Sequence, residues 1–308
     1  MFGFLKRKKG WKPPEPRCIF AVACAAPTLP SLQQLAHPSG KDGALPGAPE
    51  APSRLKGDRA FMMRPLQTGD VSVIVSPGRA RCSVIVEAVR EFPGASMPPE
   101  TWKYVRLNED LARRAREARR LVMVSLVERG QNLAQDVLYV TRLADRVSLL
   151  ADGCVNDLMS FRYFGSGSWR VEQPAQEVDV REHVLVHAET GEPEGIWVHT
   201  HGLLKFGRPE LEIYGVPREM GEKACSAMLG MMAYVVSGPL IRPGETVGDP
   251  EVPLKAREGT RNRERHWGDS PVLELVDVDA QKQPVASGAV LGLKALLKPR
   301  GQDPAKIV

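Results

Sequence analysis

The chain has 308 residues, 43% hydrophobic and 26% charged, so it can bury a substantial core as one large domain or two ordinary ones. Its net charge of +5 arises within the first 60 residues, and only 6% of residues are aromatic, so nucleic acid is not expected as a partner of the main body. The five cysteines never form a Cys-x-x-Cys pair, which excludes a zinc knuckle and indicates reduced thiols in a cytoplasmic protein.

The N-terminal half is predicted to follow a flexible basic tail at residues 1–16 and to extend over 17–170. An apolar run at 18–26 is typical of a core strand, because prolines separate it from the upstream basic residues and it is short for a secretion signal. The Pro- and Gly-rich segment 27–56 is predicted to be a loop. Hydrophobic periodicity then predicts three antiparallel strands, a helix, a fourth strand and a second helix. Their predicted ranges are 60–66, 71–77, 81–89, 108–120, 121–128 and 131–147, respectively.

The C-terminal half, residues 171–308, is predicted to begin with a β-hairpin followed by a third strand and a long helix. The predicted ranges are 183–188, 195–202 and 210–216 for the strands, 189–194 for the hairpin turn, 218–237 for the helix, 255–270 for a charged loop, and 272–278 and 289–297 for the closing elements. The two similar-sized halves together predict an α+β protein with mostly antiparallel sheets and helices packed on one face. No apolar segment reaches bilayer length, so no membrane association is expected.

Four of the six histidines fall on one face of the predicted hairpin. Because side chains alternate across a strand, pairing the apolar residues of the two strands places His183 and His187 on the same face as His199 and His201. A register with His183 opposite His201 satisfies this pattern. The His-x-His spacing on a strand brings two imidazoles close enough to share a metal ion, and a carboxylate on the next strand can add a third ligand.

The predicted metal ligands are His199 and His201, with His183 or Glu212 as the third, and Glu210 is the candidate general base for a metal-bound water. The alternative is that these histidines pack in the core and are satisfied by single hydrogen bonds. In that interpretation Thr200, His201 and Glu212 would tie the following turn together.

The segment GIWVHTHG, residues 195–202, resembles the strand that carries the His-x-His motif of JAMM-type metalloproteases. In that family the motif is followed by Pro, and then by a Ser and an Asp, with a catalytic Glu upstream. Here Gly202 replaces the proline, and Glu210 and Ile213 stand where the Ser and the Asp would fall. The missing Ser would help to hold the oxyanion and the missing Asp would complete the metal site. The resemblance therefore ends at the two histidines.

The stretch HTHGLLKFGRPELEIYGVP, residues 199–217 with the preceding Trp197, resembles the central motif of an uncharacterised bacterial domain family. Members of that family carry His-Thr-His-Gly, Phe-Gly, Pro-Glu-Leu-Glu and Gly-Val-Pro in this order. The resemblance extends over roughly residues 60–240 and implies a cytoplasmic bacterial α+β protein. It implies no catalytic residue, because the family has no established activity.

Two functions are therefore open. Balanced charge in the main body and the lack of a complete catalytic motif favour a non-catalytic binding or interaction protein whose partner is another protein. An immunity-type protein that blocks a toxin is one version of this hypothesis, and no cofactor is then expected. The rival hypothesis is a metal-dependent hydrolase that uses His199 and His201 to hold Zn²⁺.

Overall fold

The computed structural model describes residues 11–36, 48–50, 63–76, 82–91, 109–165, 178–192, 195–248, 250–261, 270–278, 289 and 291–293. The chain divides into two compact units, Arg17–Asp179 and Val180–Val308, and Met1–Pro16 groups with the second. Each unit contains a mostly antiparallel sheet with helices, which confirms the predicted α+β class. The predicted boundary at residues 170/171 and most of the predicted basic tail lie outside the described residues. No helix in the described ranges is both long and apolar enough to cross a bilayer.

The N-terminal unit contains a seven-stranded sheet in the order β2-β3-β4-β5-β1-β6-β7, and all neighbouring strands are antiparallel. The strands are β1 (Ile19–Cys24), β2 (Ala48–Glu50), β3 (Val71–Val75), β4 (Ser83–Glu91), β5 (Arg120–Glu128), β6 (Gly153–Asp157) and β7 (Arg162–Gly165). Strand β1 is buried along nearly its whole length. A continuous apolar run such as IFAVAC suits this inner position, because both of its faces are covered.

The described residues beside this sheet include the helices α1 (Leu32–Ala36), α2 (Glu109–Glu117) and α3 (Leu133–Leu150). Helix α3 begins after Asn132, whose side chain accepts hydrogen bonds from the backbone N–H groups of Ala134 and Gln135. Its buried side packs against β1, β5 and β6. The two long helices predicted from the sequence are therefore present, each within a few residues of the predicted ends.

Parts of the N-terminal prediction were wrong. Residues 63–66 form no strand beyond one isolated bridge between Pro65 and Ser31, because Pro65 has no N–H group for a ladder. Arg64 instead donates two hydrogen bonds, 2.7 and 2.9 Å, to Asp70. The strand β2 lies within the segment 27–56 that was predicted to be a loop. The short hairpin of β6 and β7 was missed.

The C-terminal unit contains a six-stranded sheet in the order β11-β12-β13-β10-β9-β8. The strands are β8 (Leu185–Glu192), β9 (Gly195–His201), β10 (Glu210–Val216), β11 (Thr246–Gly248), β12 (Pro253–Glu258) and β13 (Val272–Asp277). Neighbours are antiparallel except for β10 and β13, which are parallel. The segment 255–270, predicted to be a charged loop, thus begins within a strand. Its charges did not prevent pairing, because Arg257 lies opposite Glu274 on β13.

The described part of this unit includes the helices α4 (Val180–His183) and α5 (Gly221–Ser237), and α5 packs against β8 and β9. The helix predicted over 218–237 is confirmed as α5 preceded by a 3-10 turn at Arg218–Met220. Ile196 on β9 reaches the start of α5 so closely that a methyl group on Gly221 would lie 2.7 Å from its Cδ1 atom. Because neighbours on a strand alternate, the odd-numbered residues of β9 face away from α5.

The connection between β9 and β10 is a 3-10 turn, Leu203–Phe206, bounded by Gly202 (φ 111°) and Gly207 (φ 63°). Glycine adopts these left-handed conformations without strain, so the two glycines set where the turn begins and ends. Arg208 then donates hydrogen bonds of 2.9 and 2.6 Å to two carbonyl oxygens at the C-terminal end of α5. The positive charge of Arg208 at that position also interacts favourably with the negative end of the helix dipole.

Candidate metal centre

Three histidines converge on the face of β8 and β9 that points away from α5. His187 lies directly opposite His199, and His201 follows two residues later on β9. The ring centroids are 4.8 Å apart for His199 and His201, 5.6 Å for His187 and His199, and 5.7 Å for His187 and His201. One ligand nitrogen from each ring lies within 4.8 Å of the other two. Small inward rotations would let one divalent ion contact all three rings.

The predicted register of the hairpin was wrong by two residues. Leu185, rather than His183, lies opposite His201. Residues 180–183 form the turn α4, closed by a 3.0 Å hydrogen bond from the Val184 N–H to the Val180 carbonyl, so the strand begins only at Leu185. A shift of two preserves which side chains share a face. The sequence therefore placed His187, His199 and His201 on one face correctly, and only His183 was assigned to that face wrongly.

His183 does not join this cluster. It is buried, and its ring contacts Phe206 edge-on, with 5.9 Å between centroids. The third histidine of the cluster is His187, which the sequence placed on the correct face but did not select as a ligand.

The three histidines differ in exposure. His199 and His201 are 2% and 5% exposed, whereas His187 is the least buried of the three. Burial lowers the pKa of His187, and the neighbouring Glu189 carboxylate opposes part of that shift. A lowered pKa favours the neutral imidazole, which is the form that binds a metal.

An aromatic ring holds His199 in place. Trp197 stacks on His199, with 3.8 Å between centroids and 26° between planes, and it is also parallel to Tyr214 at 5.6 Å. The Trp197 Nε1–H and the Tyr214 hydroxyl donate to the same oxygen, Oε2 of Glu212, at 3.2 and 2.9 Å. The Arg261 guanidinium lies 4.9 Å from the centre of the Tyr214 ring. Glu212, a predicted ligand, therefore acts as an acceptor that fixes the two aromatic rings.

A polar row crosses five neighbouring strands at this level of the sheet. His187 is opposite His199, His199 is opposite Glu212, and Glu212 is beside Glu274 on the parallel strand β13. Glu274 in turn lies opposite Arg257, which donates to both of its carboxylate oxygens at 2.8 and 2.6 Å. Buried charge is costly unless it is paired, and this fork-shaped ion pair supplies the compensation at one end of the row.

Glu210 ties the connection between β9 and β10 together. Its Oε1 atom accepts hydrogen bonds of 2.9 and 3.3 Å from two backbone N–H groups in residues 202–204, and its Oε2 atom accepts one of 2.7 Å from the Thr200 hydroxyl. The alternative prediction was that Thr200, His201 and Glu212 hold this turn together by hydrogen bonds. Of these three residues, Thr200 is the one that contacts Glu210 here. Both oxygens of Glu210 are engaged in shaping the turn, which argues against the predicted role as a general base.

Glu189 is the acidic residue that the sequence analysis missed. It was assigned to the hairpin turn, but β8 continues through Glu192 and places Glu189 opposite Trp197. Its Oε1 atom lies 3.9 Å from Nε2 of His199, and its side chain is 41% exposed. The spacing of two from His187 is the signal that could have identified it, because residues at i and i+2 share a strand face.

The motif on β9 and β10 lies within a recognised family segment. Residues 183–247 match the C-terminal model of a protein family of unknown function, DUF4026. The predicted resemblance to a domain family of unknown function is thereby confirmed. The matched segment contains all three clustered histidines and Glu189. Neither the curated proteins nor the solved structures gave a match to this chain.

Proposed function

We propose that the C-terminal unit binds one divalent transition-metal ion, foremost Zn²⁺, through His187, His199 and His201. The observation that carries the proposal is the convergence of three imidazoles whose nitrogen atoms lie within 4.8 Å of one another. Imidazole nitrogen is a preferred donor for Zn²⁺, and sets of three histidines hold this ion in other proteins.

The surroundings of the cluster favour metal binding over simple packing. The stacking of Trp197 against His199 sets the orientation of one ring in advance. A metal site gains affinity from this kind of support around its ligands.

The proposal differs from the hydrolase hypothesis in its ligands and in its chemistry. His187 takes the place of His183 and Glu212 in the ligand set. Glu210 shapes the turn, and Glu212 accepts hydrogen bonds from two aromatic side chains. No carboxylate among these candidates is therefore assigned to a metal-bound water, and the proposal is one of metal binding without hydrolysis.

We infer a wider role as a non-catalytic binding protein of the bacterial cytoplasm, with another protein as its partner. The support is the position of β8 at the outer end of the six-stranded sheet, since an edge strand can accept a strand from a partner. A pull-down from the source cells would compare the wild-type chain with a His199→Ala/His201→Ala variant. A specific protein retained only by the wild type is expected, whereas equal recovery by both would contradict a metal-linked partner.

Elemental analysis tests the metal site. The full-length protein, loaded with Zn²⁺ and then desalted, is expected to retain close to one ion per chain, and the His199→Ala/His201→Ala variant to retain none. His183→Gln is the matched control, because His183 is a buried histidine of the same unit that lies outside the cluster. Far-ultraviolet circular dichroism verifies that each variant is folded. Substoichiometric zinc in the wild type, or equal loss in the control, would contradict the proposal.

A further inference from the structure

Glu189 lies beside His199, one of the three clustered histidines. It follows His187 by two residues on β8, so both side chains point to the same face of the sheet. It lies opposite Trp197, the residue that stacks on His199. Its Oε1 atom is 3.9 Å from the Nε2 atom of His199.

The 3.9 Å between Oε1 of Glu189 and Nε2 of His199 is close to the separation of two ligand atoms on a four-coordinate ion. Bonds of about 2.0–2.2 Å at tetrahedral angles place ligand atoms roughly 3.3–3.5 Å apart. The gap between Glu189 and His199 therefore exceeds the tetrahedral separation by only about half an ångström. The histidine nitrogens, up to 4.8 Å apart, must approach further. His187 and Glu189 are more exposed than His199 and His201 and lie on the outer strand β8.

The other nearby carboxylates already accept hydrogen bonds within the sheet and its turn. Glu210 accepts hydrogen bonds from the turn that follows β9, and Glu212 accepts them from Trp197 and Tyr214. The side chain of Glu189 is 41% exposed, and its Oε1 atom already lies 3.9 Å from Nε2 of His199.

The geometry points to Glu189 as the fourth ligand of the metal ion bound by His187, His199 and His201. This inference rests on the function proposed above and specifies it further. A set of three nitrogens and one oxygen in tetrahedral geometry suits Zn²⁺ and Co²⁺ better than Cu²⁺, which prefers a tetragonal arrangement. Four protein ligands close the site to water, so the ion ties β8 to β9 and has no open position for a substrate.

Co²⁺ provides the test, because its visible absorption is strong in four-coordinate sites and weak in six-coordinate ones. The full-length protein and its Glu189→Gln, Glu189→His and Glu182→Gln variants would be titrated with Co²⁺, and the bound ion would then be displaced by Zn²⁺ in competition with a chelator. Glu182→Gln removes the same charge from the turn α4, outside the cluster. We expect Glu189→Gln to weaken Zn²⁺ binding at least tenfold and to change the Co²⁺ spectrum. Glu189→His should restore tight Zn²⁺ binding and the strong absorption of four-coordinate Co²⁺, with the bands shifted by the fourth nitrogen, and Glu182→Gln should change neither property.

The outcomes separate this inference from the function on which it rests. If the wild type and Glu189→Gln bind Co²⁺ and Zn²⁺ alike, with the same spectrum, the three-histidine site stands and Glu189 is not a ligand. If the wild type binds neither ion, the proposed function fails and the inference fails with it. A loss in Glu182→Gln equal to that in Glu189→Gln would show a general effect of charge and would also overturn the assignment.

Discussion

Glu212 lies directly opposite His199 on the neighbouring strand, yet its Oε2 atom accepts hydrogen bonds from Trp197 and Tyr214. Trp197 in turn stacks on the His199 ring at 3.8 Å. The carboxylate opposite His199 on β10 thus acts on it indirectly, through an indole ring. This arrangement defines the orientation of the central ligand of the proposed site before any ion binds.

Replacing Glu212 by Gln should weaken both the fold and the metal site. The neutral amide is a poorer acceptor for the Trp197 and Tyr214 donors, and buried hydrogen bonds to a charged group contribute about 1.5–3 kcal/mol each. We expect the free energy of unfolding in urea to fall by about 2 kcal/mol, and Zn²⁺ affinity to fall about tenfold or more through the loosened indole ring. Tyr214→Phe, which removes one of the two bonds, should show a smaller loss. Unchanged stability in both variants would contradict this role.

Trp197 should report metal binding by its fluorescence. A paramagnetic ion held by His199 would lie within a few ångströms of the stacked indole and quench it. Titration with Co²⁺ is therefore expected to quench part of the emission of the five tryptophans, and Trp197→Phe should abolish the quenchable part. The His199→Ala/His201→Ala variant serves as the control without a site. Quenching that persists in Trp197→Phe would place the ion elsewhere.

Mutations in the turn and in the histidine cluster should have separable effects on stability and on Zn²⁺ affinity. Thr200→Val leaves Glu210 and the Leu211 N–H without the hydroxyl that contacts both of them, so we expect a loss of about 2 kcal/mol in the free energy of unfolding with Zn²⁺ affinity nearly preserved. His201→Asn should do the reverse and lower Zn²⁺ affinity much more than the stability of the metal-free protein. Parallel urea unfolding and chelator competition measure both. Equal effects of the two variants on both quantities would show that turn and cluster are one unit.

The cysteines should be poorly reactive in the folded protein. All five are free, and four of them are buried. Burial raises the pKa of Cys24 and of Cys154 to about 12, and that of Cys82 to about 11, so little thiolate is present near neutral pH. Labelling by a thiol reagent, followed by mass spectrometry, should modify Cys225 first and the others only after denaturant is added. Rapid native labelling of Cys24 would contradict the buried placement of β1.

The sequence predicts the faces of the hairpin better than its register. Alternation with period two placed His187, His199 and His201 together, because a shift of two residues leaves that pattern unchanged. It could not reveal that the short turn α4 removes His183 from the strand. Glu189 was missed because the segment from Glu189 to Glu194, with its Gly and Pro, is typical of a turn, whereas β8 continues through Glu192.

The roles of the carboxylates depend on contacts that no local pattern contains. Glu210 and Glu212 lie two residues apart on one strand and so share a face, which makes them equivalent candidates for a metal site from the sequence alone. In the fold, Glu210 is held by backbone N–H groups of a turn six to eight residues earlier, and Glu212 by the indole of a residue fifteen positions away. Likewise, the pairing of Arg257 with Glu274 joins strands separated in sequence, so the charged segment around Arg257 was mistaken for a loop.

X-ray absorption at the zinc edge of the full-length protein, loaded with one equivalent of Zn²⁺, shows whether the three histidines hold the ion. The three-histidine site predicts a first shell of nitrogen and oxygen atoms at about 2.0–2.1 Å, with the outer-shell scattering of three imidazole rings. The His199→Ala/His201→Ala variant should lose that scattering. A spectrum of hydrated zinc, a shell that contains sulfur, or a wild-type spectrum identical to that of the variant would contradict the account.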